Sequence, residues 1–343
     1  MQYELAPMEG ITGYIYRNAY VRYFGGAERY FTPFIASTGL NHKERSDVLP
    51  EHNQAFLLGE SGQLPLTEGS GRQQEKLLPR LVPQILTNRA EDFLTIADRL
   101  RQMGYTHVNL NLGCPSGTVV SRGRGAGFLK ELRQLTLFLE EIFERCPLHI
   151  SIKTRIGVTD AGEWEELLHI YARYPVEELI IHPRVQQDYY QHPIRWEGME
   201  LALECWERTG CAIPLCYNGE IHTLADYQAL RRRFPQVERV MLGRGVLKNP
   251  FLIQQLRQWE TGKAEPEEPM PPERRQEILQ AFHQELLTGY REIMSGDQNT
   301  LFKMKELWTY FGESFPGKEK QLKRIRKAGS MAQYESAVRE IFG

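Results

Sequence analysis

The sequence predicts an α/β protein, a (β/α)8 TIM barrel followed by an all-helical C-terminal domain. Three observations lead to this prediction. Eight short, β-rich apolar runs recur between residues 3 and 243, amphipathic stretches separate most of them, and only helical patterns follow a proline-rich segment. Strands that alternate with helices favour a parallel sheet. Eight such units favour a closed barrel over the competing open, doubly wound sheet.

The eight predicted strands share a short apolar run that polar or turn-forming residues bound on each side. They are Tyr3–Pro7, Arg29–Phe34, Leu81–Ile85, His107–Leu112, Leu148–Lys153, Glu178–His182, Pro214–Asn218 and Arg239–Gly243. One gap, between the second and third strands, is longer than the others. It contains Phe56–Glu75, which is rich in Gly, Gln, Ser and Glu and lacks steady periodicity. We expect a partly disordered surface insertion there.

Helical periodicity fills the intervals between the strands. In Ala90–Met103 the apolar residues recur at i, i+3 and i+4 spacing, which predicts an amphipathic helix. Asn88 lies three residues before Glu91, and this spacing resembles a capping box at the helix N-terminus. These helices are expected to cover the outside of the barrel.

The composition changes at Thr261–Pro272, where four prolines exclude a regular helix or strand. This segment predicts a linker over residues 261–272, with the barrel over 1–260 and a helical domain over 273–343. Within that domain, Lys318–Lys327 holds six basic residues and a single Glu, in a chain with a net charge of −2. Such a cluster favours contact with a phosphate backbone, and a solvated helix face is the alternative.

The composition favours a folded globular protein and excludes several other classes. Hydrophobic residues make up 41% and charged residues 25% of the chain, which is typical of a folded globular protein. The net charge of −2 excludes a polybasic nucleic-acid binder. Five cysteines without a CxxC pair indicate a reduced, intracellular protein without a metal site. No leader segment and no membrane-spanning apolar run is recognisable, so we expect a cytoplasmic monomer.

Polar residues cluster at the C-terminal ends of the predicted strands, where barrels of this kind carry their reactive groups. The residues at these ends include the polar Gln84, Asn111, Cys114, Lys153, Arg155, His182, Arg184, Asn218, Glu220 and Arg244, together with Pro7, Met8, Gly219 and Gly243. A buried strand end selected only for packing would carry apolar side chains instead. We therefore expect these residues to converge on one pocket.

Glycines directly follow the last two strands, at Gly219 and Gly243. This is the usual position of a phosphate site in such barrels, and Arg244 would add a charge-assisted contact. Tight turns are the alternative explanation of the glycines. Lys153 could stabilise an anionic reduced ring system or form a Schiff base, and a lysine that reaches solvent is the alternative.

Cys114 lies in the motif Asn-Leu-Gly-Cys-Pro, ahead of the Gly/Arg-rich loop Ser116–Gly127. A thiol at a strand end under a mobile loop is placed to act as an acid or a nucleophile. A buried, inert cysteine is the alternative. His182 is open to two interpretations, a ligand contact and a buried core histidine.

Seven motifs together resemble those of the tRNA-dihydrouridine synthase family. They are Ala6–Thr12 (APMEGIT), Val82–Ile85 (VPQI), Asn109–Pro115 (NLNLGCP), Ile152–Gly157 (IKTRIG), Ile181–Arg184 (IHPR), Tyr217–Gly219 (YNG) and Leu242–Gly245 (LGRG). The match spans nearly the whole chain in the family's order. The cysteine motif NLGCP distinguishes this family from other flavin barrels.

The resemblance implies an FMN-dependent enzyme that reduces the C5=C6 bond of selected tRNA uridines to 5,6-dihydrouridine, with NADPH as the usual electron source. It matches Pro7, Met8, Glu9, Gln84, Lys153, His182, Asn218, Gly219, Glu220, Gly243 and Arg244 to cofactor-binding positions. It also matches Cys114 to the proton donor, and Asn111, Arg155 and Arg184 to positions near the uracil. The helical domain would bind tRNA.

Three features depart from the family's pattern. Glu9 stands where many relatives have a small residue, Glu220 stands where many have Asp, and the insertion at 56–75 is longer than usual. We expect Glu9 and Glu220 to act through their backbone. Two other classes of protein stay open, a flavin barrel that reduces a small free pyrimidine or enoate and a tRNA-binding or folding protein without catalysis.

Overall fold

The strands of the computed structural model form one closed parallel barrel in chain order. The structure describes residues 1–56, 80–262 and 270–343. The strands are β1 (Gln2–Leu5), β2 (Arg29–Ile35), β3 (Leu81–Ile85), β4 (His107–Leu112), β5 (His149–Arg155), β6 (Leu179–His182), β7 (Leu215–Tyr217) and β8 (Arg239–Leu242). All eight predicted strands and the barrel are confirmed, and the doubly wound alternative is excluded. The predicted insertion at 56–75 lies, after Phe56, outside the described residues.

The pairing of the first and last strands closes the barrel. Gln2 lies opposite Arg239 and Leu5 opposite Leu242 in a parallel ladder. Between β2 and β3 the register shifts between Phe31 and Phe34. Pro33 lies in this interval and has no N–H to donate to the ladder, which accounts for the irregularity.

Helices cover the outside of the barrel. They are α1 (Tyr14–Tyr23), α2 (His42–Val48), α3 (Ala90–Gln102), α4 (Gly117–Val120), α5 (Leu132–Arg145), α6 (Trp164–Tyr171), α7 (Glu197–Thr209), α8 (Leu224–Arg233), α9 (Arg244–Lys248) and α10 (Leu252–Glu260). The predicted helix at 90–103 is confirmed as α3, but its predicted capping box is wrong. The N-cap of α3 is Arg89, without a side-chain cap, and the Asn88 amide instead donates to the Arg122 carbonyl at 3.2 Å.

Four further helices follow residue 270, as the helical periodicity predicts. They are α11 (Pro272–Ile293), α12 (Asp297–Phe311), α13 (Glu319–Lys327) and α14 (Met331–Phe342). Phe282 of α11 packs edge-on against Phe24 and Tyr16 beside the barrel, with ring centroids 5.0 Å and 5.7 Å apart. The apolar core therefore continues from the barrel into these helices. The domain limits stay a prediction, since residues 263–269 of the predicted linker lie outside the described part of the chain.

The N-terminal end of the barrel encloses a polar cluster. Potential ligand atoms of Glu4, Glu178 and Cys216 lie within 4.8 Å of one another, and all three residues are buried. Arg239 Nη1 lies 3.0 Å from Glu178 Oε1, and Arg29 faces the same carboxylate. Burial and the neighbouring Glu178 raise the pKa of Glu4 well above 4.5. The two arginines thus place positive charge beside the buried Glu178 carboxylate.

Among the helices of the described ranges, none is long and apolar enough to cross a membrane.

Candidate active site

A chain of side-chain amides crosses the C-terminal half of the barrel interior. Asn111 Nδ2 donates to Gln84 Oε1 at 2.7 Å, and Gln84 Nε2 donates to Asn109 Oδ1 at 2.7 Å. Asn109 Nδ2 in turn donates to Ser151 Oγ at 2.8 Å. All four residues are buried, so each bond fixes the orientation of the next amide. The structure thus brings together Gln84 and Asn111, which the sequence predicts, with Asn109 and Ser151, which it does not.

Asn111 also holds the turn that carries the thiol. Its Oδ1 accepts hydrogen bonds from the backbone N–H groups of Gly113, at 3.0 Å, and Cys114, at 2.9 Å. Burial raises the pKa of the Cys114 thiol above 9.0, and the charges of Arg155 and Lys153 only partly oppose this rise. Cys114 is therefore a thiol at neutral pH and has a proton to donate.

The loop after Cys114 packs directly on the cysteine. A side chain at Gly125, where φ is +55°, would place its Cβ 2.8 Å from the Cys114 carbonyl oxygen. Ala126 N–H donates to the same carbonyl at 3.1 Å. The predicted flexible loop contains α4 and a 3-10 turn, Gly125–Lys130. Its glycines are needed for this close approach.

Four cations surround His182 at the ends of β5, β6 and β8. Burial, together with the charges of Arg155, Lys153, Arg184 and Arg244, lowers the pKa of His182 well below 6.5. The imidazole is therefore neutral at physiological pH. Burial and the charge of Arg155 lower the pKa of Lys153 to about 8. In the described ranges no carboxylate lies within ion-pair distance of Lys153.

Arg155 joins two walls of the pocket. Its Nε donates to the Gly113 carbonyl at 3.0 Å, and Nη1 and Nη2 donate to the carbonyls of Val185 and Tyr189 at 2.8 and 2.7 Å. These bonds tie the segment that carries the thiol to the loop after β6. Any contact of Arg155 with a substrate has to use its remaining N–H groups or the planar face of its guanidinium.

Glu220 links two arginines. Its Oε1 accepts from Arg184 Nη2 at 2.7 Å and from Arg244 Nη2 at 2.5 Å. Burial raises the pKa of Glu220, but the hydrogen bonds and charges of the two arginines outweigh burial and hold the pKa below 4.5. The Glu220 side chain therefore takes part in the pocket through these two arginines, and the expected contribution of its backbone stays a prediction. Glu9 also engages its side chain, in an exposed ion pair with Lys43 at 2.5 Å.

Packing requires two of the glycines after β7 and β8, Gly219 and Gly245, whereas a Cβ at Gly243 would make only ordinary contacts, 3.4 Å from Ala6 and Met8. A Cβ at Gly219 would lie 1.9 Å from Tyr217 Oη, and one at Gly245 would lie 2.0 Å from the Ile221 carbonyl oxygen. Asn218 Nδ2 donates to the Met241 carbonyl at 2.8 Å, which joins the two strand ends. The tight turn that the sequence leaves as an alternative is therefore present at Gly219, where Ile221 N–H donates to the Gly219 carbonyl at 3.2 Å. These packing contacts do not exclude a phosphate site. The helix α9 begins at Arg244, directly after Gly243, and backbone N–H groups at a helix N-terminus can bind an anion.

The segment after β1 completes the pocket wall. Met8 N–H donates to Thr12 Oγ1 at 2.8 Å, and the Met8 carbonyl accepts from Thr12 N–H at 3.0 Å. The Met8 sulfur lies 3.4 Å from the position of a Cβ at Gly243. Met8 therefore lies beside the end of β8.

Tyr190 is a pocket residue that the sequence reasoning misses. Its ring centroid lies 4.9 Å from Arg244 Cζ and 5.3 Å from Arg155 Cζ. The His182 ring lies 5.9 Å away. The only signal in the sequence is a pair of tyrosines in an otherwise polar loop, and this pattern alone does not indicate where the loop folds.

Comparisons with known proteins show which proteins this chain is similar to. A family model described as dihydrouridine synthase matches residues 4–340. Among curated proteins, "Probable tRNA-dihydrouridine synthase 2" of Bacillus subtilis (strain 168) is 26% identical over 250 residues, 73% of this chain and 70% of the relative. The "tRNA-dihydrouridine(16) synthase" of Neisseria meningitidis is 28% identical over 262 residues, 75% of this chain and 72% of the relative.

Proposed function

Because the chain belongs to the dihydrouridine synthase family, we propose that it is an FMN-dependent oxidoreductase that reduces the C5=C6 bond of specific tRNA uridines. The product is 5,6-dihydrouridine, and NADPH is the proposed reductant. The observation that supports this function best is a free, partly buried thiol, Cys114, which Asn111 holds in place beside a pocket that contains four basic side chains. We place the reaction in the cytoplasm, with a monomeric enzyme that uses no metal.

The charges of the pocket fit a flavin phosphate. Four cations lie around His182, and Glu220 is the carboxylate that pairs with two of them. The pocket therefore carries surplus positive charge that suits a dianionic phosphate. We propose that the cofactor is held by Pro7, Met8, Glu9, Gln84, Lys153, His182, Asn218, Gly219, Glu220, Gly243 and Arg244. When bound, FMN supplies the hydride that reaches C6 of the uracil.

The residues of the chain supply the proton. Negative charge that develops at C5 and O4 of the uracil requires a nearby acid, and Cys114 holds its proton because burial raises its pKa. Asn111 fixes the position of the thiol through two backbone hydrogen bonds. We propose that Asn111, Arg155 and Arg184 position the uracil. The thiolate left on Cys114 then regains a proton from solvent.

The tRNA itself binds, in this proposal, across the helices after residue 270. Lys320, Lys323 and Lys327 of α13 line an open groove against α14, beside Gln333. Arg324 lines the same groove but pairs with Glu340. The three lysines are therefore the charges most available for backbone phosphates, which position the tRNA while the target base is extruded into the pocket.

One experiment tests the function. Purified protein, FMN and NADPH are incubated with tRNA from cells that lack this gene, and nucleosides are analysed by mass spectrometry. We expect uridines that gain two hydrogens in tRNA and no turnover of free uracil or uridine. Equal turnover of the free pyrimidines would support the small-molecule reductase instead, and a colourless protein that binds tRNA would support the non-catalytic alternative.

Arg244→Ala is expected to weaken FMN binding about 12- to 140-fold, because a hydrogen bond to a charged group contributes about 1.5–3 kcal/mol. In this variant the Glu220 carboxylate keeps its hydrogen bond with Arg184, so no unpaired charge is left in the pocket. Flavin fluorescence quenching measures the dissociation constant. Arg232→Ala, an exposed arginine of α8, is the control. Stoichiometric FMN retention by Arg244→Ala at low flavin concentration would contradict the assignment.

Charge reversal of Lys320, Lys323 and Lys327 to Glu is expected to raise the KM for tRNA without changing NADPH oxidation by the bound flavin. The slope of log Kd against log salt should fall by up to about 0.9 per phosphate contact that is lost. Reversal of the exposed Arg99, Arg133 and Arg232 on the outer barrel helices is the matched control. Identical salt slopes for wild type and the lysine variant would exclude this groove from the tRNA interface.

A further inference from the structure

Two adjacent tyrosines lie exposed at the rim of the pocket, in the loop between β6 and α7. Tyr189 is 45% exposed and Tyr190 is 50% exposed. The Tyr190 ring lies against Arg155, Arg244 and His182 and belongs to the pocket described above. The Tyr189 ring makes no aromatic or cation–π contact with any residue that the structure describes. Its side chain is therefore still without a role.

The backbone of Tyr189 is strained. Its φ is +47° and its ψ is −111°, a conformation in which an L side chain is penalised and glycine is not. Over the described ranges, Leu40 is the other non-glycine residue with positive φ, and its side chain is 7% exposed. At Leu40, burial of the apolar side chain offsets the cost of the positive φ. The exposed ring of Tyr189 brings no such compensation, so folding alone does not explain a tyrosine at this position.

The surrounding loop holds this conformation in place. Arg155 Nη2 donates to the Tyr189 carbonyl at 2.7 Å. The Asp188 carboxylate accepts two hydrogen bonds from Arg195, each at 2.9 Å. Gln186 N–H donates to the Gly157 carbonyl at 2.9 Å. Strain persists where the surroundings over-determine it, and such positions cluster at functional sites. The loop therefore presents the Tyr189 ring on a rigid support.

We propose that Tyr189 is a stacking platform for an RNA base that flanks the target uridine. This inference rests on the proposed function, because extrusion of the target base leaves the face of a neighbouring base unstacked. Aromatic side chains bind such faces in RNA whatever the base identity. The cations behind Tyr190 draw the polyanionic strand toward this rim. Tyr189 thus contributes to substrate binding beyond the pocket that receives the uracil.

Tyr189→Gly tests the proposal, because glycine removes the ring and the strain together. We expect the KM for tRNA to rise about 5- to 140-fold, the change that corresponds to one base–aromatic stack of about 1–3 kcal/mol. The kcat should change less than the KM, and the melting temperature should stay the same or rise. Tyr189→Phe should retain the wild-type KM. Leu137→Ala, which removes a 56% exposed apolar side chain from α5, is the control and should leave the KM unchanged.

Three results would overturn the proposal. The first is an unchanged KM for tRNA in Tyr189→Gly. The second is a rise in KM in Tyr189→Phe equal to that in Tyr189→Gly, which would assign the effect to the hydroxyl. The third is a melting temperature of Tyr189→Gly that falls together with its affinity for tRNA. The tRNA dissociation constant, measured without NADPH, separates this inference from the proposed function. If wild type binds tRNA but forms no dihydrouridine, the proposed function fails. A difference in Kd between wild type and Tyr189→Gly would still support the stacking role, and equal Kd values would overturn it.

Discussion

Replacement of Cys114 by alanine is expected to slow dihydrouridine formation in tRNA about 10²- to 10⁴-fold, the usual contribution of a general acid. Reduction of the flavin by NADPH should keep its rate, because that half of the reaction needs no proton from the thiol. Uridine reduction should slow because the raised pKa of Cys114 keeps the thiol protonated at neutral pH, and alanine has no proton to donate. Stopped-flow measurement of each half-reaction separates the two steps.

The cysteine prediction has a matched control in the same chain. Cys211 follows α7, is partly buried and lies outside the pocket, so Cys211→Ala should leave both half-reactions unchanged. The KM for tRNA should also stay near wild type in Cys114→Ala, because the thiol acts on the reacting carbon and not on the RNA backbone. If both half-reactions slow together in Cys114→Ala, the cysteine supports the pocket structurally and is not the proton donor.

The barrel could be predicted because its signals are local. Each strand is a short apolar run, and the periodicity in Ala90–Gln102 matches one face of a helix. The capping prediction at Asn88 failed for a reason that sequence spacing does not contain. The Asn88 amide bonds to the Arg122 carbonyl, 34 residues away, and so is drawn from its own helix to the loop after β4.

The position of the site could also be predicted, because strand ends in a parallel barrel meet at one face. Its side-chain partners could not. Glu220 pairs with Arg184, 36 residues away, and Arg155 bonds to Val185, 30 residues away. Such pairs depend on how the loop after β6 folds back over the pocket, and apolar periodicity carries no information on that path. Tyr190 escaped the sequence analysis for the same reason.

Lys153→Met is expected to reduce uridine reduction about 10²- to 10³-fold, because the role that we propose for this lysine is to stabilise an anionic reduced ring system. The pH profile assigns the effect to the ammonium. Burial and the charge of Arg155 lower the pKa of Lys153 to about 8, so its charge is present below that pH and is lost as the pH rises through it. In wild type, kcat/KM should therefore decline about tenfold per pH unit above pH 8.

Neither Cys114 nor His182 accounts for a decline in rate near pH 8. The pKa of Cys114 lies above 9.0 and that of His182 well below 6.5, so neither changes charge near pH 8. Lys153→Arg should retain part of the rate and lose the decline, because a guanidinium stays charged throughout this range. The kcat/KM of Lys153→Met should be low at every pH and should show no decline near pH 8. A decline that persists near pH 8 in both variants would assign it to a group other than Lys153, and the charge on this lysine would then have no part in the rate.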